Sequence, residues 1–349
     1  MVMLKKHPPL VYKHLGMRIS TENINQHTSY YIMRFRGINY NAGIDYNQCG
    51  QGKEIETSQF LSDLRYIKEL NCNSIRLYGS HNKKLLHYSK LALSKKLKVW
   101  VSPRYIGKNR IETLTLLLDF CRKIEKLRSG NNVVLIIGNE FTIDMAGIVK
   151  GATQMQRAHN YNRTDDKLLR DILLEFVPKI RRIFRGKIAY AALSTEKVDH
   201  SLFDYIALNY YWDWKNMFTY SLRLRNLSKK YCKPLIITEF GTCCYKFASC
   251  LDGAAFYPIQ EWKFHKIPLI KWLIVRDEME QVRCIRRCLS AFKKSKVEGA
   301  FIFDYAEKWK VDSLDLASFG IMKCDKDGKL SPKLAFDYIK REYGSMFRR

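Results

Sequence analysis

The chain has 349 residues, 46% of them hydrophobic, and its 61 Lys and Arg against 34 Asp and Glu give a formal net charge of +27. There is apolar material for a large core, and no stretch approaches the roughly 18 consecutive apolar residues that a membrane span needs. An excess of positive charge this large attracts polyanions such as nucleic acid, anionic lipid heads or acidic polysaccharides. The basic runs at Lys95–Lys98, Lys179–Lys187, Arg223–Lys233 and Arg283–Lys296 each lie on or just after an expected helix, with no recognition-helix, RNP-like or zinc-finger pattern. Solvated helix faces and a polyanion-binding surface are both compatible with them. The start, MVMLKKHPPLVYKHLGMRIS, has no apolar leader core and no small-residue cleavage site, so a cytoplasmic chain is expected.

In chain order, residues 1–30 read as an N-terminal extension. A strand is expected at Met33–Asn39, then a loop of Gly, Asn and Gln, then a helix from about Glu56 to Leu70 with Leu61, Leu64, Ile67 and Leu70 at helical spacing. A second strand, Ser74–Tyr78, precedes a helix at Lys83–Ser94, and a third, Lys98–Ser102, stops at Pro103. The helix at Ile111–Lys126 leads to a fourth strand, Val133–Gly138, and a long helix at Asp165–Phe184 to a fifth, Lys187–Ala192. The sixth strand is Tyr205–Asn209. A helix at Leu222–Tyr231 precedes the seventh, Leu235–Glu239. An insertion at about 242–273 and a helix at Arg276–Lys293 come before the eighth, Gly299–Asp304. A final helix is expected at Pro332–Tyr343, with Pro in its first turn, where a missing N–H costs little. Strands alternating with helices imply a parallel sheet. Eight such units, with no composition break, predict a single-domain (β/α)8 or TIM barrel, α/β in class, with loop insertions.

The active site of such a barrel lies at the C-terminal ends of its strands. Strand four ends in Asn139-Glu140 and strand seven in Glu239, each after a wholly apolar run. These strands lie on roughly opposite sides of the barrel mouth. Two carboxyls facing across a cleft suit glycoside hydrolysis, where one protonates the leaving oxygen and the other attacks the anomeric carbon. Arg76 on strand two is placed to keep Glu239 charged. Asn39 and Tyr40 end strand one, Tyr78 strand two, Asn209-Tyr210-Tyr211-Trp212 strand six, and Asp304 strand eight. With Tyr105 and Trp309, the aromatic residues among them are candidates for stacking on sugar faces. The bland alternatives are helix capping or surface pairing for Asp304 and Glu307, an interior ion pair for Arg76, and rim packing for the tyrosines. His81, His87, His159 and His265 form no ligand pattern, and neither a metal nor a cofactor is expected. The ten cysteines include no CxxC pair and no zinc spacing. Reduced thiols are the simplest reading, and a few disulfides, for example among Cys243, Cys244 and Cys250, are the alternative.

At these residues the chain resembles the clan A glycoside hydrolases, whose acid/base is the Glu of an Asn-Glu pair ending strand four and whose nucleophile is a Glu ending strand seven. The resemblance implies Glu140 as acid/base and Glu239 as nucleophile. It also implies Asn139 as a contact to the sugar 2-hydroxyl, Tyr211 as hydrogen-bonded to the nucleophile, and Arg76 as the clan's strand-two arginine. IKELNCNSIRLYG (67–79), IGNEF, ALNYYW and KPLIITEFGTCC (233–244) look most like β-1,3-glucanases and β-1,3-glucanosyltransferases. The resemblance, covering roughly residues 30–343, implies a retaining hydrolase or a transglycosylase of a β-linked glucan or related carbohydrate. The high charge, the missing leader and the insertion depart from the clan's pattern. A catalytically silent barrel that binds a polyanion is the reading from another class.

Overall fold

The computed structural model describes residues 31–44, 56–162, 166–259 and 274–346. The N-terminal extension of residues 1–30 therefore lies outside the described residues, as do Cys49, His265 and the second half of the insertion, 260–273.

Eight parallel strands close into a barrel. They are β1 (Phe35–Asn41), β2 (Ser74–Gly79), β3 (Lys98–Pro103), β4 (Val133–Asn139), β5 (Lys187–Leu193), β6 (Ile206–Asn209), β7 (Leu235–Phe240) and β8 (Gly299–Ile302), hydrogen-bonded in sequence order, with β8 returning to β1. The expected (β/α)8 architecture is thus the observed one. Helices Thr57–Glu69, Asn82–Ser94, Arg110–Glu125, Asp166–Arg181, Tyr220–Tyr231, Glu278–Lys294 and Leu334–Ser345 surround it, and β5 reaches β6 through a 3-10 turn, His200–Leu202.

Side-chain alternation along each strand sorts the apolar residues into two layers. Phe35, Trp100, Val134, Ile136, Ala189, Ala191, Ala207, Ile236 and Phe301 fill the barrel interior. Trp100 meets Phe35 edge-on at 5.3 Å and lies 5.2 Å from Phe301. Such ring pairs contribute about 0.5–1.5 kcal/mol each beyond the area they bury. The alternate set, including Ile38, Leu77, Val99, Leu135, Ile206 and Ile237, packs outward on helix residues such as Leu64, Phe120, Phe176 and Phe292.

The structure shifts several boundaries. β1 begins at Phe35, whose N–H bonds Glu298 O, and continues to Asn41 beside Tyr78. β8 stops at Ile302. Pro332 is not in the first turn of the last helix. It ends a strand, Leu330–Pro332, paired antiparallel with Met322–Cys324, and Lys333 is the helix N-cap. The hairpin wins because Lys333 N–H is spent on Ile321 O, continuing the pairing past the proline. No disulfide joins any two of the nine described cysteines.

Candidate active site

The site is built at the C-terminal ends of β4 and β7, where both strands break their alternation. β4 pairs Ile136 with Ala189 but Asn139 with Ala191. β7 pairs Ile237 with Leu208 but Glu239 with Asn209, and Ile237 with Ala300 but Phe240 with Ile302. Each strand therefore carries one extra residue, a β-bulge that re-aims the side chains beyond it. Strict alternation with Ile236 and Thr238 inside would send Glu239 out among the helices. The bulge instead turns both Thr238 and Glu239 inward and returns Phe240 to the outer layer against Phe292, at 5.0 Å.

On β4 the chain leaves the sheet through Glu140 itself, which adopts the left-handed conformation (φ 43, ψ 55) as N-cap of a short helix, Phe141–Asp144. A non-glycine residue there is uncommon, and such strain concentrates at functional sites. Gly138 makes the elbow compact, since a Cβ at that position would stand 2.3 Å from the Phe141 ring. The elbow is clamped from below. Tyr190 Oη accepts from Phe141 N–H at 2.7 Å, and the buried Glu196 carboxylate accepts from Thr142 N–H, Thr142 Oγ1, Tyr190 Oη and Leu193 N–H. Burial pushes Glu196 up to about 7.

One hydrogen-bond chain joins the two glutamates. Arg76 Nη1 donates to Glu239 Oε1 at 2.7 Å and to Asn39 Oδ1 at 2.8 Å, and its Nη2 donates to Asn139 Oδ1 at 2.6 Å and Ser102 Oγ at 3.2 Å. Asn209 Nδ2 donates to Asn139 Oδ1 at 3.1 Å and to Glu140 Oε1 at 2.7 Å. Thr238 Oγ1 donates to Asn209 Oδ1 at 2.8 Å, which fixes the orientation of that amide. Asn39 Nδ2 donates to the Thr238, Phe301 and Ile302 carbonyls, holding the mouth ends of β1, β7 and β8 together. Because Arg76 and Asn209 can only donate to Asn139, its oxygen faces them. Its buried Nδ2 is left without a partner among the described residues.

The two carboxyls sit in different fields. Glu239 is held by the buried Arg76 guanidinium and by Tyr211 Oη, which donates to its Oε2 at 2.9 Å. Among the described residues Glu140 faces no cation within bonding distance. Burial first, and repulsion from Glu239 second, push it up to about 8, against partial relief from Arg104 and Asn209. Arg104 is itself committed to Asp144, at 2.8 and 2.9 Å. Acid/base catalysis rests on such separation of two carboxyls.

Of the residues expected from the sequence, Glu140, Glu239, Asn139, Arg76, Tyr211, Asn39 and Asn209 come together in this network. Tyr78 and Asp304 form a neighbouring pair, Tyr78 Oη donating to Asp304 Oδ2 at 2.5 Å, and Asp304 is fully buried, which raises it well above the ordinary carboxyl range. Trp212 packs at 5.3 Å on Tyr220. Tyr40 does not join them. Asn39 points inward, so Tyr40, one residue on, points outward and bonds Asp63 of helix Thr57–Glu69 at 2.7 Å. Tyr105 and Tyr210 likewise belong to the outer layer, Tyr210 stacked on Tyr220 at 4.2 Å. The first half of the insertion packs against the site. Gly253 approaches the Tyr211 ring so closely that a Cβ would stand 3.2 Å from it, and Leu251 bridges to Asp213 beyond β6. Sequence reasoning missed Ser102, Thr238, Tyr190 and Glu196. Period-two counting from Trp100 and Ile236 marks Ser102 and Thr238 as inward, whereas nothing local marks Glu196. Among the described residues no group of three or more His, Cys, Asp or Glu could hold a metal ion, and no helix is long and apolar enough to cross a membrane.

No protein-family model matches the chain, and no curated protein matches it. Among solved structures it is similar to the GH113 β-mannanase AaManA of Alicyclobacillus acidocaldarius, at 14% identity over 91% of this chain and 98% of that one, with a TM-score of 0.61. It is similar to a β-glucuronidase of an uncultured Clostridium species at 18% identity, over 90% of this chain and 50% of that one, with a TM-score of 0.57. A fungal β-1,4-galactanase matches at 12% identity over 88% of this chain and 99% of its own, with a TM-score of 0.56. At these identities the likeness is one of fold.

Proposed function

We propose that the chain is a retaining β-glycosidase of glycoside hydrolase clan A, acting by double displacement on a β-linked glucan or a related oligo- or polysaccharide. The observation that carries this is the electrostatic asymmetry of two glutamates ending β4 and β7. Glu239 is bonded by the Arg76 guanidinium and the Tyr211 hydroxyl, while Glu140 is held protonated by burial and by Glu239's own charge. The names of the mannanase and galactanase that share the fold support it.

In the first step a Glu239 oxygen attacks the anomeric carbon as the glycosidic C–O bond breaks, and Glu140 passes its proton to the departing oxygen. The ester at Glu239 carries no charge. The repulsion that helped raise Glu140 is then gone, its proton affinity falls, and it is left as a carboxylate able to take a proton from water. Oxygen of that water forms the new bond to the anomeric carbon, Glu239 leaves as carboxylate, and Glu140 is reprotonated. A sugar hydroxyl in place of water gives transglycosylation by the same steps. The unpartnered Nδ2 of Asn139 is the donor left for a sugar hydroxyl beside the reacting centre.

Azide rescue separates the two roles. Glu239→Ala with azide and an activated β-glycoside is expected to give the α-glycosyl azide, because azide attacks once with inversion. Glu140→Ala is expected to give the β-azide, because azide then opens a glycosyl-enzyme. The same anomer from both variants, or rescue of neither, would overturn the assignment.

A further inference from the structure

We propose that the outer wall of the barrel, beside the mouth, carries a second binding site, for anionic groups along a glycan chain. It is a groove of about 550 Å³ between the segment leading into helix Tyr220–Tyr231 and the face of helix Glu278–Lys294. Trp212 and Phe218 line one side, and Arg283, Arg286, Arg287 and Lys294 the other. The basic residues fall at helical spacing, so their heads gather on one face. Arg283 is spent on Asp277 and Glu280. Among the described residues no carboxylate pairs with Arg286, Arg287 or Lys294.

The barrel mouth is arranged differently. Four of its cations are matched by carboxylates: Arg76 by Glu239, Arg104 by Asp144, Lys308 by Asp63 and Lys310 by Glu307. The groove adds three cations that no carboxylate among the described residues neutralises, so anionic groups would be read there rather than at the reacting sugar. Phe218, 90% exposed, adds an apolar face next to the cations. Apolar ring faces beside regularly placed guanidiniums complement a polymer that presents apolar sugar faces and sulfate or carboxylate groups together. A glycan is favoured over nucleic acid by position. Trp212, on the groove wall, directly follows Tyr211, whose hydroxyl bonds Glu239, so the groove begins one residue along the backbone from the mouth. This assignment rests on the glycosidase reading of the mouth.

The test is calorimetric titration of the full chain with a heparin octasaccharide, a neutral glucan oligosaccharide of equal length and a single-stranded oligonucleotide of matched charge. The variants are Arg286→Gln/Arg287→Gln/Lys294→Gln, Phe218→Ala and Glu239→Gln. Heparin is expected to bind the parent and Glu239→Gln alike. Loss of three exposed ion pairs is expected to weaken it on the order of tenfold and to flatten its salt dependence. Phe218→Ala is expected to weaken binding with the salt dependence unchanged. Equal heparin affinity in the parent and the triple variant would overturn the site. Tighter binding of the oligonucleotide, lost in the same variant, would overturn the glycan assignment. Heparin binding by a parent chain that turns over no β-glycoside would sink the reading of the mouth alone.

Discussion

Replacing Glu140 by Gln should abolish general acid catalysis and yet stabilise the protein. Glu140 is 9% exposed, and its environment moves it from an ordinary 4.5 to about 8. Each pH unit between those values is worth about 1.4 kcal/mol, so ionising Glu140 in place costs on the order of 5 kcal/mol. In the unfolded chain the same carboxyl ionises freely near 4.5. Below that pH both states hold the proton and the residue costs the fold nothing electrostatically. As pH rises from about 4.5 toward 8 the unfolded state gains a charge that the folded state refuses, and stability is progressively lost. Gln keeps an oxygen to accept from Asn209 Nδ2 and has no charge to withhold. The variant should match the parent near pH 4.5, exceed it by about 3 kcal/mol at pH 7, and level off above pH 8. Urea unfolding of both proteins across pH 4.5–8.5 measures this directly. A gain independent of pH, or a variant less stable than the parent at pH 8, would refute the claim that Glu140 is held protonated. In the active parent the same titration should appear as a basic limb near pH 8 in kcat/KM.

Arg76→Met leaves Glu239 buried without its cation. Breaking a buried pair in this way costs about 3–5 kcal/mol, and the double variant Arg76→Met/Glu239→Gln should recover part of it in the same urea assay. No recovery would mean that Arg76 acts by packing. Tyr211→Phe removes one charge-assisted hydrogen bond to Glu239, worth about 1.5–3 kcal/mol and so roughly ten- to a hundredfold in kcat if it forms in the transition state. An unchanged kcat would leave Tyr211 a rim residue. Glu196→Gln puts a donor where Thr142 and Tyr190 donate. It should shift the basic limb of the pH profile by loosening the elbow that holds Glu140, and a lower kcat with the limb unmoved would assign Glu196 to folding only.

The order of strands was readable because each is a short apolar run bounded by polar loops, and the two glutamates and Arg76 stood out as ionisable residues at the ends of such runs. Alternation could not supply the direction of residues next to irregularities. The β4 and β7 bulges add one residue without any local sign, and they decide that Asn139 and Glu239 face inward. Counting by two from Asn39 would have sent Tyr40 outward, as found. The short helix Gln154–Asn160 went unread, although Thr153 and Gln156 hold the spacing of the capping box that starts it. The clamp of Glu196 on Thr142 and Tyr190 joins residues that no spacing rule relates, and it required the fold.

The most direct test of the central claim is to incubate the protein with a panel of 2-deoxy-2-fluoro β-glycosides, read the intact mass and map the labelled peptide. The fluorine slows breakdown of the ester and traps it. The account predicts one added fluoroglycosyl group, on Glu239, and the sugar that labels names the substrate class. A label on Glu140 or another carboxyl, or turnover that inverts the anomeric configuration, would contradict it.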